Sequence, residues 1–319
     1  MKEFRNLQIM QEFGEEDLPN LDVAVLGALE LFESVELPKL ELPKMNCPLV
    51  LGSGNAEVTG RILFKGQTAV FADESNFKER RTAVLGIEEA VLISASGSRD
   101  AVKIAKEMKK EGKKTFLITN NSAPAAGEFI DNDKILVFPR NREPYTYNIS
   151  TYMGMILAKT KEDPRMIRDY LKSLGNFSAK GGPASGWDFS RYNAFYFLVA
   201  NEFEELSPMF RRKFDELFGS KIAKRVFTLG QTAHGHTVVE NEKELFIGLG
   251  VRNEYFGLEK NRLDIELPNF ADFACVMALG YYLIGKIQGQ HPSYFKESIK
   301  NYTKRIAQVF GKEPKIIVE

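Results

Sequence analysis

Short apolar runs alternate with amphipathic stretches along the first half of the chain. The runs predict strands at residues 48–54 (with a turn), 68–72, 91–94, 115–119 and 134–138. The stretches between and after them predict helices at 56–65, from 103 to 112, and at 146–159. Short, apolar, β-branched strands that alternate with helices are typical of a parallel sheet buried on both faces. The pattern therefore predicts an α/β fold.

The second half repeats this rhythm after a segment rich in Gly, Ser and Pro at 175–186, where we place a linker. Strands are predicted at 193–200, 244–249 and 263–267, with helices at 208–218 and 272–286 and a short apolar run at 225–229. Residues before 45 predict an irregular arm with one helix at 21–32. The predicted organisation is an arm (1–44), one α/β domain (45–174) and a second, similar domain (187–319), each with a parallel central sheet.

A serine-rich turn follows the strand at 91–94. Its hydroxyl and cationic side chains are those of Ser94, Ser96, Ser98 and Arg99, and a helix begins directly after them. Backbone N–H groups, hydroxyls and the positive end of a helix together favour an anion such as phosphate. The alternative is an ordinary strand-to-helix turn capped by serine.

Composition narrows the class of protein. The chain has 319 residues, with 43 basic and 43 acidic side chains, so no global charge attracts nucleic acid or an anionic membrane. Two cysteines are too few for a disulfide framework. No apolar run approaches the roughly 20 residues that a membrane span needs, and the first residues lack a signal-peptide core. We therefore expect a cytoplasmic protein.

Two other functions fit parts of the sequence. Gly52 and Gly54 follow a strand, and Asp73 ends the next, as in a dinucleotide site, although Glu57 stands where a third glycine is usual. His234 and His236 could bind a metal, but a site needs three or four ligands.

Several motifs together resemble the sugar isomerase (SIS) domain family. The turn Ser94-Ala-Ser-Gly-Ser-Arg99 resembles that family's phosphate loop, Ser-x-Ser-Gly-x-Thr, and GQTAHGH at 230–236 resembles Gly-Glu-x-x-His-Gly-Pro. The segment KFDE at 213–216 is similar to a Lys-x-Lys-Glu stretch, and the tail at 315–319 to a lysine-bearing C-terminus. The resemblance covers residues 45–319 in order, and the layout of the chain is similar to that of the isomerase half of glucosamine-6-phosphate synthase.

The resemblance implies two tandem flavodoxin-like three-layer sandwiches that bind a sugar 6-phosphate, with no cofactor and no metal. It assigns proton transfer to Glu216, ring opening to His234 and amino-sugar chemistry to Lys315. The residues that it assigns to the phosphate and the sugar are Ser53, Ser94, Ser96, Ser98, Arg99, Thr146 and Ser150. Thr146 and Ser150 are expected on one face of the helix at 146–159.

The sequence departs from the family pattern at several motif positions. Arg99 replaces a threonine, Gln231 an acid, His236 a proline and Gly54 a hydroxyl residue, while Lys315 fits the tail motif one residue short. The expected function is isomerisation or deamination of a hexose or hexosamine 6-phosphate, in a homodimer whose His loop completes the partner's site. The alternative is a regulatory protein on the same fold that binds phosphosugars without catalysis.

Overall fold

The computed structural model describes residues 4–84, 86–176, 188–235 and 237–319. These residues form two compact units that interleave along the chain. The first sheet unit comprises the described residues of Val35–Arg140 and Ser150–Lys161. The second sheet unit comprises those of Met1–Ser34, Asn141–Ile149 and Glu162–Glu319. The predicted domain boundaries, 1–44, 45–174 and 187–319, stay predictions.

The first sheet unit is built around five parallel strands. Its strands are β1 (Leu49–Leu51), β2 (Val70–Ala72), β3 (Glu89–Ile93), β4 (Lys114–Thr119) and β5 (Ile135–Val137). Its helices are α3 (Asn55–Leu63), α4 (Phe77–Ala83), α5 (Asp100–Lys110) and most of α6 (Ile149–Thr160). The strand order is β2-β1-β3-β4-β5, which is the order of flavodoxin-like sheets. All neighbouring strands are parallel, so their carboxyl ends meet at one edge.

The second sheet unit has a four-stranded parallel sheet. Its strands are β7 (Ala194–Val199), β8 (Ala223–Thr228), β9 (Glu244–Leu249) and β10 (Arg262–Ile265), in the order β10-β9-β7-β8. When the strands of this unit are numbered in chain order and the sheet is read from the β8 edge, the order matches that of the first sheet without its fifth strand. The central strand β7 is buried at every position because it lies between β8 and β9.

Helices make up most of the rest of the second sheet unit. They are α1 (Arg5–Glu12), α2 (Leu21–Ser34), α7 (Pro164–Asn176), α8 (Ser207–Phe218), α9 (Leu229–His234), α10 (Phe273–Gln290) and α11 (Tyr294–Phe310). Two short strands, β6 (Glu143–Pro144) and β11 (Ile317–Val318), pair antiparallel. Helix α2, placed by the sequence in an irregular arm, packs against α10 and α7. None of the helices in the described residues is long and apolar enough to cross a membrane.

The fold class predicted from the sequence is confirmed, and every predicted strand overlaps an observed one. Other details differ or go untested. Helix α6 begins at Ile149 rather than at residue 146. Helices α1, α4 and α9 were not predicted, so the arm contains two helices rather than one. The predicted linker begins inside α7, which ends at Asn176, and residues 177–187 lie outside the described residues.

Aromatic rings fill the second sheet unit between β7 and its helices. Phe197 packs edge-on against Phe210 and Phe214 of α8, with ring centroids 6.1 and 5.3 Å apart. Phe210 in turn packs against Tyr281 of α10 at 5.8 Å. Such ring pairs contribute about 0.5–1.5 kcal/mol beyond the area they bury. They fix α8, which carries the predicted Glu216, against the sheet.

The contact between α2 and α10 yields a stability prediction. A Cβ added at Gly285 would lie 2.1 Å from the backbone nitrogen of Asp22, so Gly285→Ala forces the two helices apart. We expect a loss of about 1–3 kcal/mol in the free energy of unfolding, measured in urea by circular dichroism. Gly175→Ala is the control, because its Cβ would meet nothing closer than 3.9 Å. Equal stability of the two variants would contradict the packing described here.

Candidate functional site

The serine loop follows β3 at the carboxyl edge of the first sheet. Ser94 Oγ accepts a hydrogen bond from the Gly97 N–H at 3.2 Å, and the hydroxyls of Ser96 and Ser98 lie 2.8 Å apart. Ser96 and Arg99 are exposed, and Arg99 directly precedes α5. Two adjacent hydroxyls, a guanidinium and a helix N-terminus are donors that suit a phosphate group.

The end of β4 holds the serine loop in place. The carbonyl of Ala95 accepts hydrogen bonds from Thr119 Oγ1 (3.0 Å) and the Asn120 N–H (3.1 Å), and that of Ser96 accepts from Asn121 Nδ2 (2.9 Å). Gly97 has φ of +58°, and a Cβ there would lie 2.4 Å from Pro124 Cβ. A glycine is therefore required at this turn, for both its backbone angle and its close contact.

In the loops after β1 and β2, carboxylates of the first sheet unit form hydrogen bonds with nearby serines. Ser53, exposed, donates a hydrogen bond to the Glu74 carboxylate. Asp73 accepts from the Ser75 hydroxyl and from the N–H groups of Ser75 and Asn76, and these hydrogen bonds hold its pKa below the usual value. These local hydrogen bonds explain an aspartate at the end of β2, so Asp73 does not require a nucleotide ribose as its partner.

A cavity of about 490 Å³ lies in the first sheet unit at a different place. It is lined by residues at the amino-terminal ends of β3 and β4, including Glu88, Lys113 and Lys114. Lys113 forms an ion pair with Glu88 at 3.0 Å. The amino-terminal and carboxyl ends of parallel strands lie at opposite edges, so this cavity does not coincide with the serine loop.

In the second sheet unit, α8 carries a buried lysine next to Glu216. Lys213 is fully buried, and its ammonium donates to the carbonyl oxygens of Thr146 (2.7 Å) and Tyr147 (2.8 Å) and to Glu216 Oε2 (2.6 Å). The ammonium also lies 5.5 Å from the ring centroid of Tyr281. Three oxygen acceptors satisfy all three N–H groups, which is what a buried ammonium requires.

Burial raises the pKa of Glu216, and the neighbouring ammonium of Lys213 opposes that rise. Burial is the larger effect, since only 26% of the Glu216 side chain is exposed. The adjacent Asp215 is exposed and pairs with Lys224 on the surface. Of the two carboxyls on α8, Glu216 thus has the environment that favours its protonated form, as suits a group that takes up and returns a proton.

Thr146 and Ser150 do not share a helical face, because α6 begins only at Ile149. Thr146 belongs to the preceding turn, with φ of +76°, and its hydroxyl is buried without a hydrogen-bond partner among the described residues. Ser150 is fully buried at the start of α6. The assignment of both residues to the sugar stays a prediction.

His234 ends the short helix α9 and is exposed. Gln231 forms a capping box with Thr228 and also donates to Glu204 Oε1 at 2.6 Å. The Glu204 carboxylate thus contacts Gln231, the residue that stands where the family pattern has an acid. His236 lies outside the described residues, so the alternative of a metal bound by His234 and His236 together stays untested.

Lys315 is exposed and precedes β11. Ile317 pairs with Pro144, and Val318 with Glu143, so the antiparallel direction leads from β11 back towards Thr146. The Tyr145 N–H donates to the Ile316 carbonyl at 2.7 Å, which extends the pairing by one step. The lysine-bearing tail and the turn before α6 are therefore neighbours within the second sheet unit.

Lys213 has no role in the function predicted from the sequence, yet its position on α8 indicates one. Phe210, Phe214 and Leu217 form the buried stripe of α8, and Lys213 falls on the same stripe. A lysine at a position where the helical period requires an apolar side chain indicates a paired buried charge. Its acceptors on Thr146 and Tyr147 are backbone atoms, which no residue pattern marks.

Comparison with known proteins gives a likeness of fold. No family model matches this sequence, and no curated protein matches it. The chain is similar to tagatose-6-phosphate ketose/aldose isomerase from Escherichia coli, with a TM-score of 0.57, 14% identity, and 78% of this chain and 84% of that chain covered.

Two further solved structures cover nearly all of their own chains. One is the C-terminal domain of glucosamine-fructose-6-phosphate aminotransferase from Francisella tularensis, with a TM-score of 0.54, 14% identity, and 93% of this chain and 97% of that chain covered. The other is glucosamine-6-phosphate deaminase from Thermotoga maritima, with a TM-score of 0.54, 17% identity, and 86% and 95% covered. The structural neighbours are thus proteins of phosphosugar chemistry, and the likeness shows a shared fold.

The burial of Lys213 yields a stability prediction. Lys213→Met leaves two carbonyls and Glu216 without their donor, so we expect a loss of about 3 kcal/mol in the free energy of unfolding. Lys224→Met is the matched control, since it breaks the surface pair with Asp215 and should cost at most about 1 kcal/mol. Urea unfolding of both variants tests this. Equal losses would show that the Lys213 ammonium is not structurally special.

Proposed function

We propose that this protein is a phosphosugar isomerase that acts on a hexose or hexosamine 6-phosphate, by aldose–ketose isomerisation or amino-sugar deamination through an enediol. The single observation that carries the proposal is the contact of Lys213 with Glu216 on α8. Burial raises the pKa of this carboxyl group, and the contact gives it a fixed proton-donor neighbour. These are the properties of a general base that later returns its proton.

The proposed proton transfer uses one carboxyl group twice. The Glu216 carboxylate removes the C2 proton of the open-chain aldose while the C1 carbonyl oxygen gains a proton, which gives the enediol. The same carboxyl then delivers its proton to C1 as the C2 hydroxyl loses its own, which gives the ketose. Lys213 holds Oε2, so the carboxyl keeps a fixed orientation throughout.

The other predicted residues take the roles that the family resemblance assigns. Ser94, Ser96, Ser98 and Arg99 would hold the phosphate, in keeping with the donors gathered in their loop. His234 would open the sugar ring, and its exposed position on α9 leaves the imidazole accessible.

Lys315, Ser53, Thr146 and Ser150 complete the proposed set. Lys315 would serve amino-sugar substrates, and the other three would line the sugar site. No cofactor or metal takes part in the proposed reaction.

We further propose a cytoplasmic homodimer, in which the His loop of one subunit serves the other. Val238 and Val239 follow His234 closely and are each 81% exposed, so this loop offers apolar surface to a partner of the same kind. Carbohydrate or amino-sugar metabolism is the corresponding process.

A regulatory phosphosugar-binding protein is the second candidate. The observation that favours it is the bond from Ser53 to Glu74, which occupies one predicted ligand hydroxyl and adds negative charge beside it. A sensor would keep the serine loop but would not need Glu216 to exchange protons.

Exchange of the carbon-bound hydrogen that the enediol loses separates the two candidates. In D₂O, the wild-type protein should introduce deuterium at C1 of fructose 6-phosphate or at C2 of glucose or glucosamine 6-phosphate, as followed by NMR. Glu216→Gln should slow the exchange by about 10²–10⁴-fold, because it removes the base. Asp215→Asn, which changes the neighbouring exposed carboxyl, should leave it unchanged. Binding without exchange by the wild type would favour the sensor.

Phosphate binding tests the serine loop by itself. Ser96→Ala and Ser98→Ala should each weaken binding of inorganic phosphate and of glucose 6-phosphate about 10-fold, since a hydrogen bond to a charged group contributes about 1.5–3 kcal/mol. Thr82→Ala is the control, because this hydroxyl in the same unit binds only its own helix. Titration calorimetry measures the affinities. Unchanged affinity in both serine variants would remove the loop from the proposed site.

A further inference from the structure

The turn that holds Lys213 has an unfavourable backbone. Thr146 has φ of +76° and Asn148 has φ of +49°, both in the left-handed region that residues with a Cβ rarely adopt. Such conformations are unfavourable for residues with a Cβ and persist only where the surroundings hold them. Yet this turn directs the carbonyls of Thr146 and Tyr147 at one ammonium. Something must therefore hold the turn in place.

Helix α11 packs its rings against the two tyrosines of the turn. Tyr302 lies 6.3 Å from Tyr145, and Phe295 lies 5.4 Å from Tyr147, measured between ring centroids. The Tyr147 hydroxyl donates to the Pro19 carbonyl at 2.8 Å, which fixes the far end of that ring. The turn is thus held through side chains on both of its tyrosines.

The tail that follows α11 holds the backbone of the same turn. The Tyr145 N–H donates to the Ile316 carbonyl at 2.7 Å, and β11 pairs with β6 immediately before the turn. Arg142 Nε lies 3.3 Å from a carboxylate oxygen of Glu319, at the far end of this pairing. One continuous segment therefore contacts the turn through rings and through backbone hydrogen bonds.

We infer that residues 294–319 position the Lys213–Glu216 pair by holding the Thr146–Tyr147 carbonyls on the Lys213 ammonium. This inference rests on the proposed function for its effect on catalysis, but not for its effect on Glu216 itself. The segment acts through the turn and the lysine, so Tyr302 and Ile316 are positioning residues. Their role is separate from the one proposed for the side chain of Lys315.

The direction of the effect follows from the contacts. When the turn is released, the ammonium loses two acceptors and is no longer fixed against Glu216 Oε2. The carboxylate then loses the donor that favours its charged form, so the pKa of Glu216 rises further. A base is active only when ionised, and the acid limb of the pH–rate profile should move to higher pH. The maximal rate should fall while KM changes little.

The test uses Tyr302→Ala and a variant lacking residues 316–319. Tyr302→Phe keeps the ring and serves as the conservative variant. Lys304→Gln, an exposed change on the same helix, is the control. For each protein we would measure the pH profile of hydrogen exchange at C1 of fructose 6-phosphate and, by ¹³C NMR, the titration of the Glu216 carboxyl carbon. The signal is assigned by its absence in Glu216→Gln.

Tyr302→Ala and the shortened variant should raise the Glu216 titration midpoint and the acid limb by at least about 0.5 pH unit. Tyr302→Phe and Lys304→Gln should match the wild type. A lower melting temperature with an unchanged midpoint in both disruptive variants would overturn the inference. If the wild type catalyses no exchange, the proposed function fails, and the NMR titration alone still decides whether residues 294–319 position Glu216.

Discussion

The ammonium of Lys213 is the group on which the arrangement of the second sheet unit depends. A charge without solvent exposure is stable only when each of its N–H groups has an acceptor. Two of these acceptors are carbonyls of a turn with unfavourable backbone angles, and the third is Glu216. The turn supplies two of the acceptors. Strands β6 and β11 pair next to the turn, and the rings of α11 pack against its tyrosines. One buried charge thus links the end of the chain to the carboxyl group proposed as the base.

The two sheet units share a strand order but differ at their carboxyl edges. In the first, β3 leads into hydroxyls and a guanidinium at Ser94 to Arg99. In the second, the corresponding strand β9 leads into Gly250, Val251 and Arg252, and β7 is followed by the acids of 202–205. The serine loop proposed to bind phosphate is therefore a property of one unit and not of the repeated topology. This accords with the general observation that function depends on the loops that a fold carries.

The fold was predictable because each strand corresponds to a short apolar run in the sequence and each turn to a polar one. The serine loop was predictable for the same reason, since its hydroxyls are consecutive in sequence. Glu216 was placed through a family motif and not through its environment, which depends on Lys213 burial. The strained turn at Thr146 was predicted as helix, because nothing in its residue types indicates a positive φ. The bond between Ser53 and Glu74 joins two loops that only the strand order brings together.

The central claim is that burial, and not the neighbouring lysine, dominates the ionisation of Glu216. The most direct measurement is the free energy of unfolding of the wild type and of Glu216→Gln between about pH 4 and pH 8. A carboxyl whose folded-state pKa is raised stabilises the fold below its unfolded pKa and loses that contribution as pH rises through the folded pKa. The stability of the wild type relative to Glu216→Gln should therefore fall across this range. A relative stability that rises with pH would show that Lys213 outweighs burial and holds the pKa of Glu216 below its usual value, and it would contradict the account.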